Sequence, residues 1–192
     1  FLRSRGGAEK ICVPASMPFG LSRQLQELGY ELECREDPIF PESWVKNAEE
    51  IEHISNTQKA GEAAMEFVIE TLRASEIRDE LLYHRGEVLT SEWLRREAHK
   101  LLLDSDCQAV STIIAAADQC CDPHQRGFGP IPANQTIIID IFPRSVTTRY
   151  WGDMTRTVVR GKASDEVKKI YQDVFDAQSG AIDSIRNGAC GK

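Results

Sequence analysis

No Cys-x-x-Cys pair occurs in this chain. Its six cysteines, at positions 12, 34, 107, 120, 121 and 190, follow no regular framework. That sets aside zinc ribbons and the disulfide scaffolds of small secreted domains. Cys120 and Cys121 are adjacent, which suits neither a tetrahedral zinc site nor an ordinary disulfide. The cysteines read as reduced thiols of a cytoplasmic protein. No apolar run approaches the roughly 20 residues a membrane helix needs, so no membrane partner is expected. Basic residues are in deficit: the net charge is −7, and nucleic acid is accordingly a poor partner. Internal repeats and low-complexity segments are also lacking. The chain opens at Phe1 without a signal-peptide pattern, and it closes on Cys190, Gly191 and Lys192 just past a helix-like segment. Both ends read as cut.

What is present is ordinary globular composition, 41% hydrophobic and 28% charged over 192 residues. That is enough to bury a real core. "KICVP" (10–14) reads as a strand, "FGLSRQLQEL" (19–28) as a helix stopped by Gly29, and "YELECRE" (30–36) as a strand. Residues 1–37 thus look like the end of a small α/β domain. "DPIFPES" (37–43) is a connector, and a second domain is expected over 38–192.

That second domain starts with a long helix at about 47–74. Ile51, Ile54, Met65, Val68 and Leu72 make one apolar stripe, which Gln58 and Gly61 interrupt. Another helix follows Thr90 or Ser91 as N-cap, with Glu92 in its first turn and Leu94, Ala98, Leu101 and Leu102 on its buried face. "VSTIIAAA" (110–117) reads as a buried strand, and a Pro- and Gly-rich loop follows it. Strands are expected at about 136–142 and 154–160. The last helix, 164–187, is capped by Ser164 and ended by Gly188, with Val167, Ile170, Val174, Ala181 and Ile185 as its apolar face. The order helix, helix, strand, strand, strand, helix is α+β: an antiparallel sheet backed by helices.

Two acids stand out in "IIIDIFPRSVTTRYWGDMTRTVV" (137–159). Asp140 sits between Ile139 and Ile141, and a buried, unpaired carboxylate costs several kcal/mol. Strand alternation puts Asp140 on the face of Ile138 and Phe142. Asp153 comes to the same place if 143–152 form a hairpin. Two neighbouring carboxylates need a proton or a cation between them. The residues leave two readings open: a divalent metal site, or ion pairs with Arg144, Arg149, Arg156 and Arg160. His124, in "CDPHQRG", is a third residue of interest, whereas His53, His84 and His99 lie on or near helices. Trp44, Trp93 and Trp151 read as packing residues.

The stretch from "DPHQRGFGPIPANQ" through "GDMTRTVVRG" resembles the metallopeptidase family of Xaa-Pro dipeptidases, proline aminopeptidases and methionine aminopeptidases, whose fold is called pita-bread or creatinase-like. The resemblance to the proline-specific branch covers about residues 38–192, and its most specific motif is Asp-Met-Thr-Arg-Thr at 153–157. It implies that Asp140 and Asp153 are metal ligands and that His124 contacts the substrate. It implies two divalent ions (Mn, Co or Zn) in the complete enzyme, and a peptide substrate with proline after its first residue. The reaction implied is hydrolysis of the N-terminal peptide bond by water activated between the two ions. The step of thirteen residues between the acids is longer than is common in the family. The family's metal-binding His and two Glu belong to a C-terminal half that this chain does not reach. The expectation is therefore a partial fold that binds metal weakly and is inactive alone. Its unpaired sheet edge leaves homodimerisation open. The alternative is a non-catalytic binding module on the same fold. Such relatives tend to lose the acids, and the acids are present here.

Overall fold

A computed structural model describes residues 10–36 and 39–190. Contacts divide the chain into two units between Ala48 and Glu49. The sequence-based boundary, at 37 and 38, lies outside the described residues.

In the first unit β1 (Lys10–Pro14) and β2 (Glu31–Arg35) pair in parallel, from Lys10↔Glu31 to Pro14↔Arg35. Parallel strands need a crossover, and α1 (Phe19–Glu27) supplies it. Gly29 ends the helix at φ +89°, a conformation that costs glycine little. This is the βαβ unit expected from the sequence. Trp44 is 72% exposed and packs in no core, contrary to its expected role.

The second unit is organised by α2 (Ala48–Ala74). Its buried positions are Thr57, Ala60, Gly61, Ala64, Met65, Val68, Thr71 and Leu72. The stripe is buried only from Thr57 onward, because Ile51 lies on the exposed first turns. After α2 come three short strands, β3 (Glu76–Arg78), β4 (Leu81–His84) and β5 (Glu87–Val88), in one antiparallel sheet. Two-residue turns join them. Asp79 and Glu80 make the first and Arg85 and Gly86 the second, all four at positive φ. That is the turn geometry whose twist suits a tight hairpin.

Helix α3 (Ser91–Asp104) starts where the Trp93 N–H donates to Thr90 Oγ1 at 3.2 Å. It buries Leu94, Ala98 and Leu102, while Leu101 is only half-buried. Strand β6 (Cys107–Gln108) and β7 (Ile113–Ala116) follow, then a 3-10 turn at Ala117–Cys121. β8 (Thr136–Ile141) lies between β7 and β10 (Met154–Val159), antiparallel to both. Between β8 and β10 the chain makes β9 (Arg144–Ser145), which pairs with β6. Ile137, Ile139 and Ile141 of β8 are fully buried, and they join Ile114, Val68, Leu72, Leu94 and Leu102 in one core. Each such side chain contributes about 1.5–3 kcal/mol of burial.

Helix α4 (Asp165–Ser184) is capped as expected, with Ser164 Oγ accepting from the Val167 N–H at 3.2 Å. Its expected buried face is not buried: among the described residues none of α4 is buried, and Ile170, Val174 and Ile185 are exposed. Trp93 does pack, against Phe67 and His84. Trp151 is 46% exposed with the Arg144 guanidinium over its ring. No helix of the described residues is long and apolar enough to cross a membrane, and all six cysteines are free thiols.

Candidate metal-binding site

The register of β8 on β10 decides where the two acids lie. Asp140 is directly opposite Thr155, and Ile141 is opposite Met154. The ladder continues past the end of β10, because the Gly152 N–H donates to Pro143 O at 3.0 Å. Asp153 is therefore opposite Phe142, two residues from Thr155. Side chains alternate along a strand, so Asp140, Thr155 and Asp153 share one face, with the two acids in diagonal positions. Burial agrees: the odd-numbered residues of β8 are buried and the even-numbered ones, Asp140 among them, are partly open. Asp153 is exposed.

Asp140 meets its cost locally. Thr155 Oγ1 donates to Asp140 Oδ1 at 2.6 Å, the short length typical of a hydroxyl on a carboxylate. Three of the four arginines that sequence offers as ion-pair partners go elsewhere. Arg144 Nε donates to Arg149 O, Arg156 donates to Thr155 O, and Arg160 donates to Ser75 O. Among the described residues neither acid is in an ion pair. Among the described residues there is likewise no group of three or more His, Cys, Asp or Glu able to hold a metal. The oxygen donors fit a hard or borderline divalent cation, as one part of a ligand set.

The hairpin loop between the acids is built, not slack. Ser145 N–H donates to Tyr150 O, Val146 N–H to Asp106 O, and Thr147 Oγ1 to Asp106 Oδ2 at 2.6 Å. The long step between the acids is thus taken up by a stapled loop, and the strand ladder keeps its register on either side.

His124 lies in the turn after the Ala117–Cys121 segment, exposed, with its backbone N–H donating to Asp122 Oδ1 at 2.9 Å. Two residues later Arg126 O accepts from the Ile114 N–H, next to Ile113, the β7 partner of Asp140. Gly127 then passes over β7 at φ +84°, where a Cβ would lie 1.8 Å from Ile114 O. Helix α3 clamps the same loop. Arg95 donates to the carbonyls of Arg126 and Gly127, and Glu92 accepts from the Gly129 N–H at 3.0 and 3.1 Å. Burial pushes the Glu92 carboxyl up, but its own amide, the Gly129 amide and Arg95 bring it below its ordinary value. His99, on the same helix, has its pKa lowered by burial and by Arg126 and Arg95. His124 is therefore tied to the edge of the strand beside Asp140, while no hydrogen bond joins it to either acid.

The residue that sequence reading undervalued is Gln58. It appears there only as a gap in an apolar stripe, yet its Oε1 accepts from the Asp153 N–H at 2.9 Å. A partner 95 residues away leaves no local signal.

A family model described as metallopeptidase family M24 matches residues 52–192. The Xaa-Pro dipeptidase of Pyrococcus horikoshii is 25% identical over 199 aligned residues, covering 100% of this chain and 52% of that protein. The crystal structure of the prolidase from Pyrococcus horikoshii OT3 superposes with a TM-score of 0.77 at 22% identity, over 96% of this chain and 50% of the other. The X-prolyl aminopeptidase of Caenorhabditis elegans, described as a cytosolic enzyme with a di-nuclear active site, superposes at 0.62 with 19% identity, over 86% of this chain and 26% of that one. The chain spans about half the length, or less, of the curated relatives it matches. The fold is thus the part of the pita-bread architecture that the sequence leads one to expect.

Proposed function

The chain belongs to metallopeptidase family M24, and we propose that it carries the first two metal-holding acids and a substrate-contacting histidine of a peptidase acting at Xaa-Pro bonds. One observation carries this reading: the β8–β10 register sets Asp140 and Asp153 on one open sheet face, and among the described residues no arginine is in an ion pair with either. The Xaa-Pro specificity follows the dipeptidase and aminopeptidase relatives.

The roles divide by geometry. Asp140 has one oxygen engaged by Thr155 and the other free to ligate. Asp153 brings its carboxylate from the diagonal position. Two divalent cations held between such acids would supply activation of a water and polarisation of the scissile carbonyl. His124, from its anchored loop, would donate a hydrogen bond to the substrate carbonyl as charge develops there. The remaining ligands and the proton shuttle to the leaving amine lie in this reading outside the 192 residues. The chain alone is then a weak metal binder, inactive without them. Manganese fits a carboxylate-rich set, and free thiols throughout fit the cytoplasm. A binding module on the same fold would have no use for two unneutralised acids side by side.

The test is Mn²⁺-dependent release of proline from Xaa-Pro dipeptides by this chain fused to the C-terminal half of the Pyrococcus horikoshii dipeptidase. Asp140→Asn, Asp153→Asn and His124→Ala are made beside it. Turnover that disappears in both Asp variants and falls in the His variant supports the proposal. Turnover indifferent to all three overturns it.

A further inference from the structure

Helix α2 changes partners along its length. From Ala60 to Leu72 it packs on the core. Before that, the loop between β8 and β10 lies along it. Tyr150 Oη donates to Glu50 at 2.8 Å, and the Tyr150 ring lies 5.5 Å from that of His53. A Cβ on Gly152 would come within 2.9 Å of the Gln58 backbone, and one on Gly61 within 3.4 Å of Pro143. Positions 50, 53, 57 and 61 recur at three- and four-residue steps, and 58 lies three residues before 61, so they form one helix face. The last contact on that face is the Gln58 side chain on the Asp153 amide.

Asp153 needs this support more than Asp140 does. Asp140 sits in a central strand and is paired on both sides. Asp153 lies just before the start of β10, an edge strand, and is exposed. Its peptide plane decides which way its carboxylate leaves the chain, and the strand ladder holds that plane only through neighbouring residues. A neutral amide oxygen is well suited to fix it: it accepts the N–H without adding a second negative charge beside the carboxylate.

We propose that Gln58 is a positioning residue for Asp153, fixing the backbone so that the Asp153 carboxylate stays on the face of Asp140. The metal-binding consequence rests on the peptidase reading above; the Gln58–Asp153 link does not. Gly152 and Gly61 bring the helix and hairpin close enough for that single hydrogen bond to form. Glutamine at 58 thus serves an acid 95 residues downstream, and an aliphatic residue there would extend the stripe at the expense of the site.

The test uses the ¹⁵N-labelled 192-residue chain with Gln58→Met, which keeps length but has no acceptor oxygen, and Gln58→Glu, which keeps the acceptor. Amide exchange at Asp153 is expected to quicken at least about tenfold in the Met variant and by less in the Glu variant, which keeps an acceptor but adds a charge beside the carboxylate. Amides of β8 and β7 should not change. Mn²⁺ broadening of the Asp140 and Asp153 signals should require about 10-fold more metal in the Met variant, as losing support of a metal ligand typically costs. Unchanged exchange at Asp153 in Gln58→Met overturns the proposal. So does exchange that quickens equally across β7, β8 and β10, which marks plain destabilisation. If Asp153 responds as expected but Mn²⁺ broadens neither acid in the wild type, the positioning of Asp153 stands and the peptidase reading fails.

Discussion

Thr155 on β10 stands directly across from Asp140 on β8 and gives its hydroxyl proton to the Asp140 carboxylate at 2.6 Å. This pair gives an acid flanked by two fully buried isoleucines a local hydrogen-bond partner. Removing the donor alone leaves a carboxylate short of a partner on a half-open face. Thr155→Val is expected to destabilise the fold by about 1 kcal/mol. A double-mutant cycle with Asp140→Ala should return a coupling of about 0.5–1.5 kcal/mol by urea denaturation. Zero coupling would mean that the hydroxyl serves only itself.

Gly152 is where the hairpin touches helix α2. An added Cβ would lie 2.9 Å from Gln58 Cα and N, and these are backbone atoms that cannot swing away. Gly152→Ala is therefore expected to cost about 1–3 kcal/mol, and to weaken Asp153's bond to Gln58 more than any strand pairing. Chemical denaturation gives the first quantity and site-resolved amide exchange the second. A fully wild-type stability would show that hairpin and helix have room to part.

Acid should loosen the loop that carries His124. His99 has a pKa below its ordinary 6.5, so the unfolded chain binds the extra proton first. Stability from this group is complete above about 6.5 and falls as pH drops from there through the lowered folded value. The Glu92 carboxyl is also held below its ordinary 4.5. Its contribution is present above 4.5 and is lost as pH falls through the lowered folded value. Both groups act on the Arg126–Gly129 segment, through Arg95 and the Gly129 amide. In His99→Gln the loss that begins as pH falls below about 6.5 should shrink, and in Glu92→Gln the loss that begins below 4.5 should. Thermal unfolding followed from pH 8 to well below pH 4 checks both arms.

The features that sequence shows well are those written in local chemistry. The caps at Thr90 and Ser164 are read from single side chains, and both accept a backbone N–H as expected. Alternation through Ile137–Ile141 gives the face of Asp140, and a hairpin of any even register brings Asp153 to it. The small sheet of β3, β4 and β5 is hidden because its turns are Asp79-Glu80 and Arg85-Gly86, and two of those four residues, Glu80 and Arg85, are not the usual choices for positive φ. Helix α4 shows the limit of amphipathicity. Ile170, Val174 and Ile185 mark a face that can be buried, and nothing in the pattern says what covers it. Gln58 illustrates the same limit at a site, since its partner lies in another element.

The measurement that bears most directly on the account is a calorimetric titration of Mn²⁺ into the 192-residue chain, with Asp140→Asn and Asp153→Asn alongside. The account predicts weak, saturable binding in the wild type that is lost in each variant while both keep the wild-type fold by circular dichroism. Binding that survives both substitutions, or its absence from the wild type, would contradict the claim that these two acids share a cation.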